Sequence, residues 1–119
     1  MLALSIRQPF AEEILRGIKR VEYRPKITHQ LGERFYIYAS LKEPSPEDLW
    51  QFSALFKTVD ALRKADLPRG VIVGTAVIHT VTPPTADTPY YHWHLEGVQR
   101  LAEPIKPKGH PQPTWFRPF

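Results

Sequence analysis

Eight consecutive residues, Gly17-Ile18-Lys19-Arg20-Val21-Glu22-Tyr23-Arg24, gather a lysine, a glutamate and two arginines beside a glycine that can take positive φ. An extended backbone over 20–24 alternates its side chains, which puts Arg20, Glu22 and Arg24 on one face and Val21 and Tyr23 on the other. Lys19, at the joint, reaches towards the charged face. Such a cation–anion–cation row can hold a polar, anionic partner, with Lys19 and Arg24 against phosphate or a base edge and Glu22 accepting from an exocyclic amine. It can also do acid–base chemistry, with Lys19 and Glu22 orienting and deprotonating a water or a 2′-hydroxyl. The plain alternative is a set of ion pairs that fixes a corner between helix and strand.

Other groups with binding chemistry lie at element ends. Ser5, Arg7 and Gln8 close a first strand at the point where a helix begins, and free backbone N–H groups there can receive a phosphate, while Ser5 or Gln8 can equally act as a cap. Tyr36, Tyr38 and Ser40 share a strand face, offering rings that stack bases or pack on a helix. Lys106 and Lys108, with Gly109 and His110, form a basic segment that can steer nucleic acid or stay solvated. His92 and His94 flank Trp93 with the spacing of a zinc pair, His79 or His110 being a third candidate ligand. No cysteine or acidic cluster accompanies them, so neither metal nor cofactor is implied.

The elements that must position these groups are read from periodicity. Leu2, Leu4 and Ile6 alternate with Ala3 and Ser5, a first strand. Phe10, Ala11, Ile14, Leu15 and Ile18 form one helical stripe with Glu12, Glu13 and Arg16 outside it, ending near Gly17. A second strand covers 20–24 and stops at Pro25; 26–33 is a loop; 35–41 alternates strongly as a third strand. Ser45-Pro46-Glu47-Asp48 starts a helix whose stripe Leu49, Phe52, Phe56, Val59 runs on towards Ala65. Residues 71–81 form the longest strand, with Gly74 marking a bend or bulge, and 91–96 another, which Gly97 interrupts before 98–101. The tail from Pro104 carries five prolines; it can close over the fold and cannot be a central strand. Trp93 and Trp115 suit a core or a barrel closure. The pattern predicts an α+β fold: a small, partly open β-barrel of five or six mostly antiparallel strands with one or two helices packed against it.

With 119 residues, 42% hydrophobic and 24% charged, the chain reads as one soluble domain over 1–119, closed by a proline-rich tail at about 104–119. No apolar run suits a membrane span, no signal peptide is read at the N-terminus, and the expected location is cytoplasmic. The net charge of +4 is compatible with nucleic acid as partner. Thirteen prolines, one methionine and no asparagine fit a heat-adapted chain.

Leu4-Ser5-Ile6-Arg7-Gln8-Pro9-Phe10-Ala11 followed by Gly17-x-Lys19-x-x-Glu22-x-Arg24 resembles the signature of the ASCH domain, the activating-signal-cointegrator homology domain. Lys42-Glu43-Pro44-Ser45-Pro46, Gly70-Val71-Ile72-Val73-Gly74, and Pro107-Lys108-Gly109-His110-Pro111 with Trp115 resemble later parts of such domains, so the likeness covers nearly the whole chain. The resemblance implies a PUA-like β-barrel that binds nucleic acid, RNA or a single strand, in a cleft around Lys19, Glu22 and Arg24, with Ser5, Arg7, Gln8, Arg20, Ser40 and Lys108 around them. It also implies an enzymatic alternative, a metal-independent hydrolase of RNA or of a modified nucleoside such as N4-acetylcytidine, in which Lys19 and Glu22 would be the catalytic pair. In the branch that removes that acetyl group a threonine stands three positions after the motif lysine; here the residue is Glu22, a departure from that branch. A third alternative is a module that holds a protein partner.

Overall fold

A computed structural model describes residues 1–119. In chain order the elements are β1 (Ala3–Arg7), α1 (Phe10–Leu15), β2 (Val21–Arg24), β3 (Arg34–Ser40), α2 (Pro46–Phe52), α3 (Val59–Ala65), β4 (Val71–Thr82), β5 (Tyr91–Ile105) and β6 (Trp115–Phe116). The six strands form one mixed sheet, ordered β2-β5-β4-β3-β1-β6, that curls into a half-barrel. Only β1 and β3 run parallel; the other neighbours are antiparallel. The expected α+β barrel is therefore present, with one helix more than the sequence pattern suggested.

The alternation in β1 and β3 decides what is inside. Leu4, Ile6, Phe35, Ile37 and Ala39 face the concave side, where they meet Ala11 and Ile14 of α1 and Trp93 of β5 in the main core. Ala3, Tyr38, Ile72 and Phe116 form a smaller cluster on the other face, covered by the C-terminal strap. Trp93 stacks on Trp115 at 6.0 Å and donates its indole N–H to the Lys26 carbonyl, so the tail closes the barrel edge as its prolines allow. Curvature comes from register shifts in β4 against both neighbours. At Gly74 a Cβ would lie 2.5 Å from the Gln99 carbonyl oxygen and 2.5 Å from a Leu15 methyl, so only glycine lets β5 and α1 approach this closely.

Several expectations are corrected. The stripe of α1 ends before Ile18, which is exposed, because Gly17 turns the chain at φ +76°. Glu12 and Glu13, expected outside the stripe, are buried. Glu12 receives Arg100 on both oxygens at 2.9 and 2.8 Å and Arg16 at 2.7 Å. Glu13 accepts from the Ser53 hydroxyl and from the amides of Ala54 and Leu55, so α1 is clasped on two sides. That clasp, with Thr58 capping Ala61, splits the expected single helix over 46–65 into α2 and α3. Gly97 does not break its strand: β5 runs through it with a register shift and on past Pro104 to Ile105.

Candidate functional site

The corner that carries the charged stretch is built from backbone first. The Glu13 carbonyl accepts from the amides of both Ile18 and Lys19, at 3.0 and 3.1 Å, and Gly17 donates to Ile14. The chain then enters β2, which pairs with β5 so that Glu22 lies opposite Trp93. Lys19 is thereby delivered next to Glu22 and Arg24.

Arg24 lies over the Trp93 ring, 5.8 Å from its centroid. Its Nε and Nη2 both donate to Glu22 Oε2, at 2.9 and 2.7 Å, and Nη2 also donates to the Ser5 carbonyl at 2.8 Å. Lys19 Nζ is 3.6 Å from the other carboxylate oxygen, Oε1, and sits over the rings of Tyr23 and Phe10 at 4.9 and 5.6 Å. The three charged side chains are mostly buried, at 14, 9 and 18% exposure for Lys19, Glu22 and Arg24. Two cations share one carboxylate, so the group carries a net positive charge, and Oε1 is its one acceptor without a hydrogen bond.

These side chains form one wall of a cleft of about 780 Å³. Ser5, Arg7, Tyr38 and Ser40 at the ends of β1 and β3 form the floor, Phe10, Asp48 and Phe52 the helical side, and Pro111-Gln112-Pro113 of the strap the far wall, with Tyr23 and Tyr90 at the rim. Tyr38 packs edge-on against Phe116, and burial pushes its phenol above the ordinary tyrosine range, so its hydroxyl stays protonated.

Of the residues expected around the motif, Ser5, Arg7 and Ser40 reach the cleft. Ser5 is already engaged there: its hydroxyl donates to the Gln112 carbonyl and its amide to Thr114, which makes it an anchor of the strap. Arg7 has one carboxylate neighbour, Asp48, at 4.0 Å. Ser40 Oγ accepts the Lys42 amide.

Gln8, Arg20 and Lys108 lie outside the cleft lining. Gln8 is buried, its amide donating to the Pro68 carbonyl and its oxygen accepting the Glu12 amide, so it acts as a cap. Arg20 precedes β2, its carbonyl still accepting the Leu95 amide, and its exposed guanidinium turns back to the Gly17 carbonyl. Lys108 is exposed on the strap, held through its backbone amide to Pro118. Tyr36 packs on Phe119, away from the cleft.

Lys42, Asp48, Phe52 and Tyr90 line the cleft without having been singled out for it. Asp48 and Phe52 are four apart on α2 and so share a face. For Lys42 the one available signal was its place in the Lys42–Pro46 stretch that carried part of the resemblance. His79, His94 and His92 stand in a row on β4 and β5 with ring centroids 5.9 and 6.3 Å apart, and no group of three or more potential ligands has a geometry that could hold a metal ion. No helix is long and apolar enough to cross a membrane.

A family model, the ASCH domain, matches residues 4–106. Activating signal cointegrator 1 of Homo sapiens is 38% identical over 74 residues, which cover 60% of this chain and 13% of that protein. The Mus musculus protein of the same name is 38% identical over 74 residues, with the same shares covered. The matched part of the chain thus spans only about an eighth of these relatives' length.

Proposed function

Since the chain belongs to the ASCH domain family, we propose that it binds nucleic acid, as RNA or another single strand, in the cleft beside Lys19, Glu22 and Arg24. The observation that carries this reading is the state of Glu22. One oxygen takes both Arg24 donors, while Oε1, ion-paired with Lys19 at 3.6 Å but without a hydrogen bond, can accept an N–H donor in a positively charged, aromatic-rimmed cleft. Unpaired bases offer such donors on edges that a duplex hides in base pairing, and their faces stack on rings like those of Tyr23, Phe52 and Tyr90. A concave site favours a strand whose bases can be splayed out over a stiff duplex. The net charge of +4 supplies the general attraction for phosphate.

The test is a fluorescence-anisotropy titration of labelled single-stranded and duplex RNA and DNA, each at two salt concentrations. Single strands are expected to bind, with an affinity that falls as salt rises. Absence of binding to all four forms overturns the reading, and salt-insensitive binding to a protein partner would replace it. Incubating the bound form with the protein tests the hydrolase alternative. Turnover that disappears in Glu22→Gln while binding persists would make Lys19 and Glu22 a catalytic pair.

A further inference from the structure

We infer that the phosphate of a bound strand is seated by Arg7, Ser40 and Lys42 at the floor of the cleft, with Asp48 as a built-in competitor, and that the motif cations are not its seat. The inference rests on the nucleic-acid reading of this cleft and says where on it the backbone lies.

Cations that can take up a phosphate are those the protein has not already satisfied. Arg24 is committed: its guanidinium is bound to Glu22 Oε2 and to the Ser5 carbonyl and lies over Trp93. Lys19 is held by Glu22 and two rings. A phosphate placed there would also meet the carboxylate that these cations surround.

Arg7 and Lys42 are in the opposite condition. Neither side chain donates a hydrogen bond within the protein, and Lys42 has no ion pair. Both are solvent-accessible and line the cleft. The parallel pairing of β1 with β3 sets Arg7 beside Ser40, and Lys42 follows two residues on with its amide on Ser40 Oγ. Because that oxygen accepts from the backbone, its own proton is free to be donated. Guanidinium, ammonium and hydroxyl donors together match the acceptor-only oxygens of a phosphodiester. Asp48, 4.0 Å from Arg7, is the single carboxylate paired with this group. At that distance the pair is weak and screened, so a phosphate can displace it, but only against a standing competitor.

The ligand is then bipartite, with a phosphodiester on Arg7, Ser40 and Lys42 and a base edge at Glu22 Oε1. The experiment measures the slope of log K against log salt for a labelled, mixed-sequence single-stranded RNA, with wild type and four variants. Arg7→Ala and Lys42→Ala are each expected to weaken binding about three- to ten-fold and to flatten the slope by about 0.7, the value for one lost phosphate contact on a single strand. Asp48→Asn is expected to tighten binding a few-fold at low salt, a direction that mere damage to α2 would not produce. Lys19→Ala is expected to lower affinity with the slope unchanged. Slopes unaltered in both Arg7→Ala and Lys42→Ala, with wild-type binding intact, overturn this seat and leave the nucleic-acid reading standing. Absence of wild-type binding overturns both.

Discussion

Arg24 places two N–H donors on a single oxygen of Glu22, at 2.9 and 2.7 Å, and so leaves the second oxygen, 3.6 Å from Lys19 Nζ, without a hydrogen bond. A side-by-side fork would have occupied both oxygens and closed the acceptor. The same contact makes Arg24 a structural residue, since it also binds the Ser5 carbonyl and covers Trp93.

Stability and binding should therefore separate along the motif. Arg24→Ala leaves a nearly buried carboxylate with only the longer Lys19 contact and removes a hydrogen bond that joins β2 to β1, and is expected to destabilise the protein by about 2–4 kcal/mol. Lys19→Ala leaves Glu22 paired with Arg24 and should cost under about 1 kcal/mol. Urea unfolding followed by near-UV circular dichroism measures both. Equal losses would mean that Lys19, too, serves chiefly to hold the corner.

The rim rings give a second prediction. Tyr90 lies at the cleft mouth, 39% exposed, and makes no ring contact with another aromatic residue. Tyr90→Ala is expected to leave the melting curve in place and to weaken single-strand binding by about 1–3 kcal/mol. Tyr90→Phe should retain affinity if stacking is what the ring supplies, and anisotropy titration of the two variants decides it.

Local chemistry in this chain was legible where neighbours in sequence decide the outcome. The alternation of Leu4 and Ile6 with Ala3 and Ser5, the Ser45 cap before Pro46 and the turn at Gly17 are all of this kind. What stayed hidden depends on partners far along the chain. Glu12 looks like a solvent-facing helix residue until β5 brings Arg100, 88 positions away, against it. Glu13 needs Ser53, 40 positions away, and that clasp is also what divides the second helical stripe. The cleft follows the same rule. Lys19, Glu22 and Arg24 are near neighbours in sequence, whereas Arg7 comes beside Ser40, two residues before Lys42, only because β1 and β3 pair in parallel. Gln8 and Arg20 carry suitable chemistry at suitable positions, yet backbone groups nearby claim their side chains.

The strap couples closure of the barrel to the cleft. Phe116 is buried, packs on Tyr38 and pairs with Ala3, and the same segment supplies Pro111-Gln112-Pro113 to the cleft wall. Phe116→Ala is expected to cost about 3–5 kcal/mol and to reduce binding with it. Phe119→Ala removes one exposed edge contact to Tyr36 and should cost under about 1 kcal/mol. Hydrogen exchange would show the Ser5 amide, bound to Thr114, losing protection in the first variant and keeping it in the second.

Acid should weaken the hold of Arg100 and Arg16 on α1. The hydrogen bonds from Arg100 hold the Glu12 carboxyl below its ordinary value near 4.5, burial opposes this, and Arg16 adds to the lowering. A carboxyl that titrates lower in the folded protein than in the unfolded chain binds fewer protons when folded. Its stabilising contribution is therefore complete above about pH 4.5 and is lost as pH falls through the folded value. Both guanidinium groups are about half exposed, so the contribution is set at roughly 1–2 kcal/mol, low for hydrogen bonds to a charged group. Arg100 shifts upward, beyond the reach of ordinary buffers, and adds nothing to the acid limb. Glu12→Gln should thus lower stability at pH 7 and flatten its fall between about pH 5 and 3 relative to wild type. Glu43, held low by Arg63 at the surface, titrates in both proteins and cancels in the comparison. Thermal melts of the two proteins across that range test this, and parallel curves would show that the Glu12–Arg100 pair does not set the acid limb.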